Sequence, residues 1–235
     1  MKTIGLLGGM SWESSVTYYQ IVNQMVKERL GGLHSAKVIL FSVDFAQIEK
    51  FQAEGDWEKS ATVLSAAAQS LERAGADIIA ICTNTMHKVY PQVQQSVNIP
   101  VLHIAEATAR KLTERGIKKV ALLGTKYTMT QDFYKDKIIE AGIQVLVPQE
   151  KDLEMVNRVI YGELCQGLIS LESKKEYFRV IKGLEKQGAE GVILGCTEIG
   201  LLIGQKDLDL PVFDTARIHA EQAALYALGE DKGNL

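Results

Sequence analysis

The sequence predicts an α/β fold of two similar, doubly wound parallel-sheet domains related by a pseudo-two-fold. Three observations carry that prediction. Short apolar runs of strand length alternate with longer segments in which apolar residues recur every three or four positions. The second half of the chain repeats motifs of the first in the same order. The chain has 235 residues, above the usual domain size of about 100–150 residues and enough for two compact cores.

The elements follow in order. Residues 3–7 form an apolar strand closed by glycines, and Ser11 caps a helix over 12–30 that Gly31-Gly32 ends. Strands are expected near 37–43, 77–82 and 100–103, with a helix at 57–74; Phe51-Gln52-Ala53-Glu54-Gly55 reads as a loop. A helix at 104–115 carries the chain into the second domain. Strands near 119–123, 143–147, 191–195 and 211–213 then alternate with helices at 131–141, 151–165 and 173–187, and a last helix at 216–228 packs back on the first domain. Strands alternating with helices imply parallel sheets covered on both faces. The expected domains are 1–103 with 215–235, and 104–214, with one site in the cleft between them.

The repeat is explicit. Thr3-Ile4-Gly5-Leu6-Leu7-Gly8 returns as Lys119-Val120-Ala121-Leu122-Leu123-Gly124, and Ile99-Pro100-Val101 returns as Leu210-Pro211-Val212. The displacement that carries Gly75-Ala76-Asp77 onto Gly188-Ala189-Glu190 also carries Thr83 onto Cys196. The period is far longer than the roughly 20–50 residues of a solenoid. Both residues therefore follow equivalent strands, and ligands of open α/β sheets bind beyond the carboxyl ends of strands.

Two polar runs break from these strands: Cys82-Thr83-Asn84-Thr85-Met86-His87 and Gly195-Cys196-Thr197-Glu198-Ile199-Gly200. If helices start there, unpaired backbone N–H groups of Asn84, Thr85, Met86 and Thr197 can cradle a carboxylate. A helix N-terminus also lowers the pKa of a neighbouring thiol, which would make Cys196 a base near neutral pH. Free cysteine is equally at home as a small buried apolar residue.

Composition excludes several classes. Formal charge is −3 with scattered basic residues, unlike the basic stripe of a nucleic-acid binder. No run approaches the roughly 18 apolar residues of a membrane span, and the first residues lack the long apolar region of a secretory signal. Cys82, Cys165 and Cys196 cannot all pair and show no C-x-x-C spacing, so free thiols and a cytoplasmic setting are expected. His34, His87, His103 and His219 match no metal-ligand pattern, and no metal is expected. Gly5-Leu6-Leu7-Gly8-Gly9-Met10 lacks the G-x-G-x-x-G order of a dinucleotide site.

Asn84-Thr85 after one strand, Gly195-Cys196-Thr197-Glu198 after its repeat, and the opening Gly5-Leu6-Leu7-Gly8-Gly9-Met10-Ser11 resemble the aspartate/glutamate racemases over essentially the whole chain. Glu198 stands where glutamate racemases carry histidine, which resembles the aspartate racemase branch with its L-aspartate/glutamate-acting bacterial members. The resemblance implies an isomerase without a cofactor, a homodimer, and two groups flanking the substrate α-carbon. One departure matters: the family's first cysteine is Thr83 here, with Cys82 one residue early and facing into the sheet packing. Cys196 is then the competent base and attacks L substrates, Thr83 serves the other face, and turnover of D-aspartate and D-glutamate is much the weaker.

Further groups enter with open roles. Met10 and Ser11 contact the substrate or merely cap a helix. Gln52 binds a distal carboxylate where relatives use arginine, or is solvent-exposed. Cys165 faces the pocket or is core. Asp44 and Glu198 orient the catalytic groups, and Thr125 and Thr128 line the cleft or satisfy their own turn. Two other functions compete with the racemase: a single-cysteine decarboxylase or isomerase of small dicarboxylates, and a non-catalytic carboxylate-binding protein.

Overall fold

A computed structural model describes residues 1–230, and the chain divides into two compact units. One runs from Met1 to Ile104 and resumes at Ala216; the other is Ala105–Thr215. Residues 231–235 of the expected first domain lie outside the described residues.

The first unit holds a four-stranded sheet of β1 (Thr3–Gly8), β2 (Lys37–Ser42), β3 (Ile78–Ile81) and β4 (Val101–Leu102). All pairings are parallel and the order is β2-β1-β3-β4. Parallel neighbours need crossovers, which helices supply. Ser11 starts α1 (Trp12–Leu30) by accepting from the Ser14 amide at 3.4 Å, and Gly31 ends it with its N–H on the Lys27 carbonyl. Strand alternation divides the core in two. Ile4, Leu6, Ile78 and Ala80 pack against Tyr18, Ile21 and Val22 of α1 and the alanines of α11 (Thr215–Leu228). Leu7, Ile79 and Ile81 face α2 (Phe45–Glu54), α3 (Trp57–Arg73) and α4 (Tyr90–Gln95).

Helix α2 corrects the sequence reading, since residues 51–54 are its last turn and not a loop. Asp44 caps its start, accepting from the Ala46 amide at 3.1 Å, and Gly55 ends it in the left-handed region. Its ten residues are too short for apolar periodicity to stand out against a buried strand or loop.

The second unit repeats the layout. Strands β5 (Lys119–Gly124), β6 (Gln144–Leu146), β7 (Val192–Gly195) and β8 (Val212–Asp214) pair in parallel in the order β6-β5-β7-β8. Helices α5 (Ile104–Glu114), α6 (Lys126–Thr130), α7 (Asp132–Glu140), α8 (Glu150–Gly162), α9 (Leu171–Lys186) and α10 (Ile199–Leu202) connect or cover them. Each sheet places its third strand beside its first, so β3 and β7 are equivalent positions, and Thr83 and Cys196 follow their ends.

The junction of β5 and β7 is close enough to demand glycine. A methyl group at Gly124 would stand 2.8 Å from the Gly195 carbonyl oxygen, and one at Gly195 would stand 2.7 Å from Leu122 Cδ1. The strand that delivers Cys196 is thereby seated directly against its neighbour.

Candidate active site

At the end of β3 the chain leaves the sheet in stages. The Cys82 amide still bonds the Leu7 carbonyl at 2.9 Å, and the Cys82 carbonyl accepts from Ser14 Oγ at 3.1 Å. The Cys82 side chain is fully buried among Ile4, Leu6 and Tyr18, and that burial pushes its thiol far above the ordinary range. Thr83 turns off the strand, its amide bonding back to the Ile81 carbonyl at 2.9 Å. Among the described residues its hydroxyl has no hydrogen-bond partner. Asn84, Thr85, Met86 and His87 follow, all buried, the last three within a 3₁₀ turn over Thr85–Val89.

Gln52 comes to this end from α2. It is buried, not solvent-exposed, and its amide nitrogen donates to Met86 Sδ at 3.0 Å. Met10 is buried in the cluster that holds Met86 and Ile48, and Ser11 is the cap of α1. Asp44, expected to orient the catalytic groups, caps α2 with its carboxylate. An aspartate before a helix is a strong capping signal that the reading of residues 51–55 as loop concealed.

At the end of β7 the side chains bond to one another. Cys196 Sγ donates to Glu198 Oε2 at 2.9 Å, and Thr197 Oγ1 donates to the same oxygen at 2.9 Å. All three residues are buried. Thr125 and Thr128 close the neighbouring turn after β5, their hydroxyls 3.1 Å apart, with Thr125 also capping α6. Thr128 packs on Gly195, just before the thiol. Cys165 lies half-buried in a 3₁₀ turn over Leu164–Gln166, near enough that its charge bears on Cys196.

The electrostatics correct a second expectation. Cys196 is not a lowered thiol: burial pushes it well above the ordinary range, and the Glu198 carboxylate adds to the rise. The helix expected to lower it is α10, only four residues long, so its dipole is too small to offset desolvation. Tyr177 of α9 is a residue the sequence reading did not single out. It is fully buried, donates to the Val156 carbonyl at 3.1 Å, and lies near enough to Cys196 that a charge there bears on it. Its only sequence signal is a polar tip on an apolar stripe.

Among the described residues no group of three or more His, Cys, Asp or Glu side chains is arranged to hold a metal ion. Nor is any described helix long and apolar enough to cross a membrane.

Comparison with known proteins agrees with this architecture. The model of the family described as Asp/Glu/Hydantoin racemase matches residues 7–223. A candidate Asp/Glu racemase from Yersinia pestis is 56% identical, superposes with a TM-score of 0.90, and the match covers 97% of this chain and 100% of that one. An aspartate racemase homologue from Pyrococcus horikoshii is 41% identical at a TM-score of 0.84, with the same coverage. The broad specificity amino-acid racemase RacX of Bacillus subtilis is 23% identical over 91% of this chain and 92% of its own length. With its two parallel four-stranded sheets and its repeated strand ends, the chain belongs to the Asp/Glu/hydantoin racemase family and is an isomerase.

Proposed function

We propose that this chain is a cofactor-independent racemase of the acidic amino acids aspartate and glutamate that favours L substrates. The observation that carries the reading is the hydrogen bond from Cys196 Sγ to Glu198 Oε2, set against a Thr83 hydroxyl with no such partner. A thiol and a hydroxyl at equivalent strand ends supply two proton-transfer groups of very different acidity. The reading requires both to address one α-carbon, from opposite faces.

Without substrate, Cys196 is held protonated, since burial and the Glu198 charge both disfavour the thiolate. An amino acid brings an ammonium group, whose positive charge favours the thiolate, and Glu198 stands ready to accept the thiol proton. The thiolate then takes the α-proton of the L substrate, forming the S–H bond as the Cα–H bond breaks. The carbanion receives a proton on its other face from the Thr83 hydroxyl or from water held by it, and the resting state returns as Glu198 releases the thiol's proton and the Thr83 side takes one up through solvent. Removing a proton from the D substrate would ask Thr83 to act as base, which an unassisted hydroxyl does poorly. Buried Asn84, Thr85, Met86 and Thr197, with Gln52, Met10 and Ser11, are the groups assigned to the substrate's polar ends. The three free cysteines support a reducing, cytoplasmic setting, and the family resemblance supports a homodimer.

The test is α-proton exchange by NMR in D₂O with both enantiomers of aspartate and glutamate. Exchange of L substrates that disappears in Cys196→Ala, with inversion lost in Thr83→Ala, is the expected result. Exchange without inversion in the unaltered enzyme would favour the single-cysteine isomerase, a reading to which the unpartnered Thr83 hydroxyl lends weight. No exchange with any of the four substrates would leave only a carboxylate-binding protein.

A further inference from the structure

The two residues on which that reading turns are held by different means. Cys196 is anchored through its own side chain. No hydrogen bond to a described residue holds the Thr83 hydroxyl, so its position follows from the backbone that carries it and the χ1 rotamer of a β-branched side chain. Thr83 also lies beyond the last residue of β3, so no strand pairing fixes it.

What fixes it is His87. The Thr83 carbonyl oxygen is 2.8 Å from His87 Nδ1, and His87 Nε2 is 3.1 Å from the backbone nitrogen of Ile104. An amide N–H can only donate, so Nε2 is the accepting nitrogen and the ring proton sits on Nδ1, donated to Thr83. The imidazole is 2% exposed and spans from the strand end after β3 to the residue that follows His103. His219 applies the same logic to the other side of His103. Its Nε2 faces the Leu102 carbonyl at 3.2 Å, so its Nδ1 accepts from the Tyr18 hydroxyl at 2.9 Å. The rings of His87 and His219 lie 5.8 Å apart, and those of His87 and His103 4.9 Å apart, in one cluster with buried Tyr18 and half-buried Tyr90.

We propose that neutral His87 is a positioning residue for Thr83: by clamping the Thr83 carbonyl to Ile104 at the start of α5, it sets where the hydroxyl points and hence the face on which a proton is returned. The inference rests on the racemase reading above. It predicts a defect confined to one face of the substrate, because Cys196 is anchored by its own bond to Glu198 and not through Thr83. Misplacing a reacting group by about 1 Å costs roughly a hundredfold in rate.

The test compares His87→Ala, which removes the donor, with His87→Asn, which returns an N–H close to the place of Nδ1. With L-aspartate and L-glutamate in D₂O, deuterium entry with retention reports the Cys196 face and appearance of the D enantiomer reports the Thr83 face. His87→Ala is expected to lose inversion by roughly tenfold to a hundredfold while exchange with retention stays close to the unaltered rate, and His87→Asn is expected to recover much of the inversion. Equal loss of both signals, loss that tracks the folded fraction by circular dichroism, or unchanged inversion in a racemising enzyme overturns the inference and leaves the racemase reading standing. An unaltered enzyme that neither exchanges nor inverts any of the four substrates overturns both.

Discussion

The strand end after β3 and the strand end after β7 occupy the same place in two copies of one sheet, yet they are built on opposite principles. The first holds Thr83 through the backbone, with a buried histidine on the carbonyl and, among the described residues, no partner for the hydroxyl. The second fixes its residue through the side chain, with a thiol and a carboxylate sharing a proton's reach. The strand repeat dictates where a group stands, and the two or three residues after the strand dictate how tightly it holds a proton. A repeated fold can thus carry two groups of unequal acidity at equivalent places without altering its frame.

The largest expected effect comes from making the two ends alike. Thr83→Cys places a thiol where the repeat has one, and thiols are acidic enough to be deprotonated where a hydroxyl is not. Turnover of D-aspartate and D-glutamate should rise by about a hundredfold, the lower range for general acid–base catalysis, with L turnover changed far less. Steady-state rates measured from both enantiomers check it. An enzyme still equally one-sided would mean that the asymmetry lies outside these two side chains.

A smaller effect separates the units by pH. All four histidines fall in the first unit, and His219 is held down to about 3 by burial, with the neighbouring His87 adding to the fall and the Leu102 carbonyl opposing it. In the unfolded chain a histidine protonates near 6.5, whereas in the native state His219 stays neutral until far lower pH. The unfolded state therefore binds more protons as pH drops below about 6.5, and stability is lost progressively from there towards pH 3. At pH 5 the cost is about 2 kcal/mol if His219 acts alone. Hydrogen exchange, corrected for intrinsic rates, should show amides of β4 and α11 opening more between pH 7 and pH 5 than those of β7 and β8. Equal loosening of both units would contradict it.

Much of this was legible in the sequence because it rests on long apolar runs and on the repeat. All eight expected strands fall near their expected positions, since parallel strands read as apolar runs both where they are buried, as in β1, β3, β5 and β7, and at the exposed edges β2 and β6, and α1 is bounded as Ser11 and Gly31 indicate. The short helices were not legible. Helix α2, α4 and α6 span ten, six and five residues, too few for a helical period to show. Missing α2 put Gln52 on a loop, when its buried amide sits on Met86. The rise in the Cys196 pKa was also out of reach, because desolvation depends on everything packed around a thiol and not on its neighbours in sequence. His87 illustrates the same limit: its bond to Thr83 is local, but Ile104, its other partner, meets it only through the fold.

The smallest expected effect tests the frame itself. Gly75 and Gly188 occupy equivalent turns before β3 and β7, and both have φ of 96°. That value lies where a residue with a Cβ is strained, so alanine at either should cost about 1 kcal/mol. Local packing adds little. A methyl group at position 75 meets nothing within 4 Å, and one at 188 approaches only the flexible Lys119 side chain, at 3.5 Å. Gly75→Ala and Gly188→Ala should therefore destabilise their own units by the same amount, read as matched shifts in urea midpoint, with no change in the ratio of L to D turnover. Unequal costs would show that the two turns, alike in backbone, are unlike in what the surrounding unit lets them do, and the repeat would then be an equivalence of topology without an equivalence of energy.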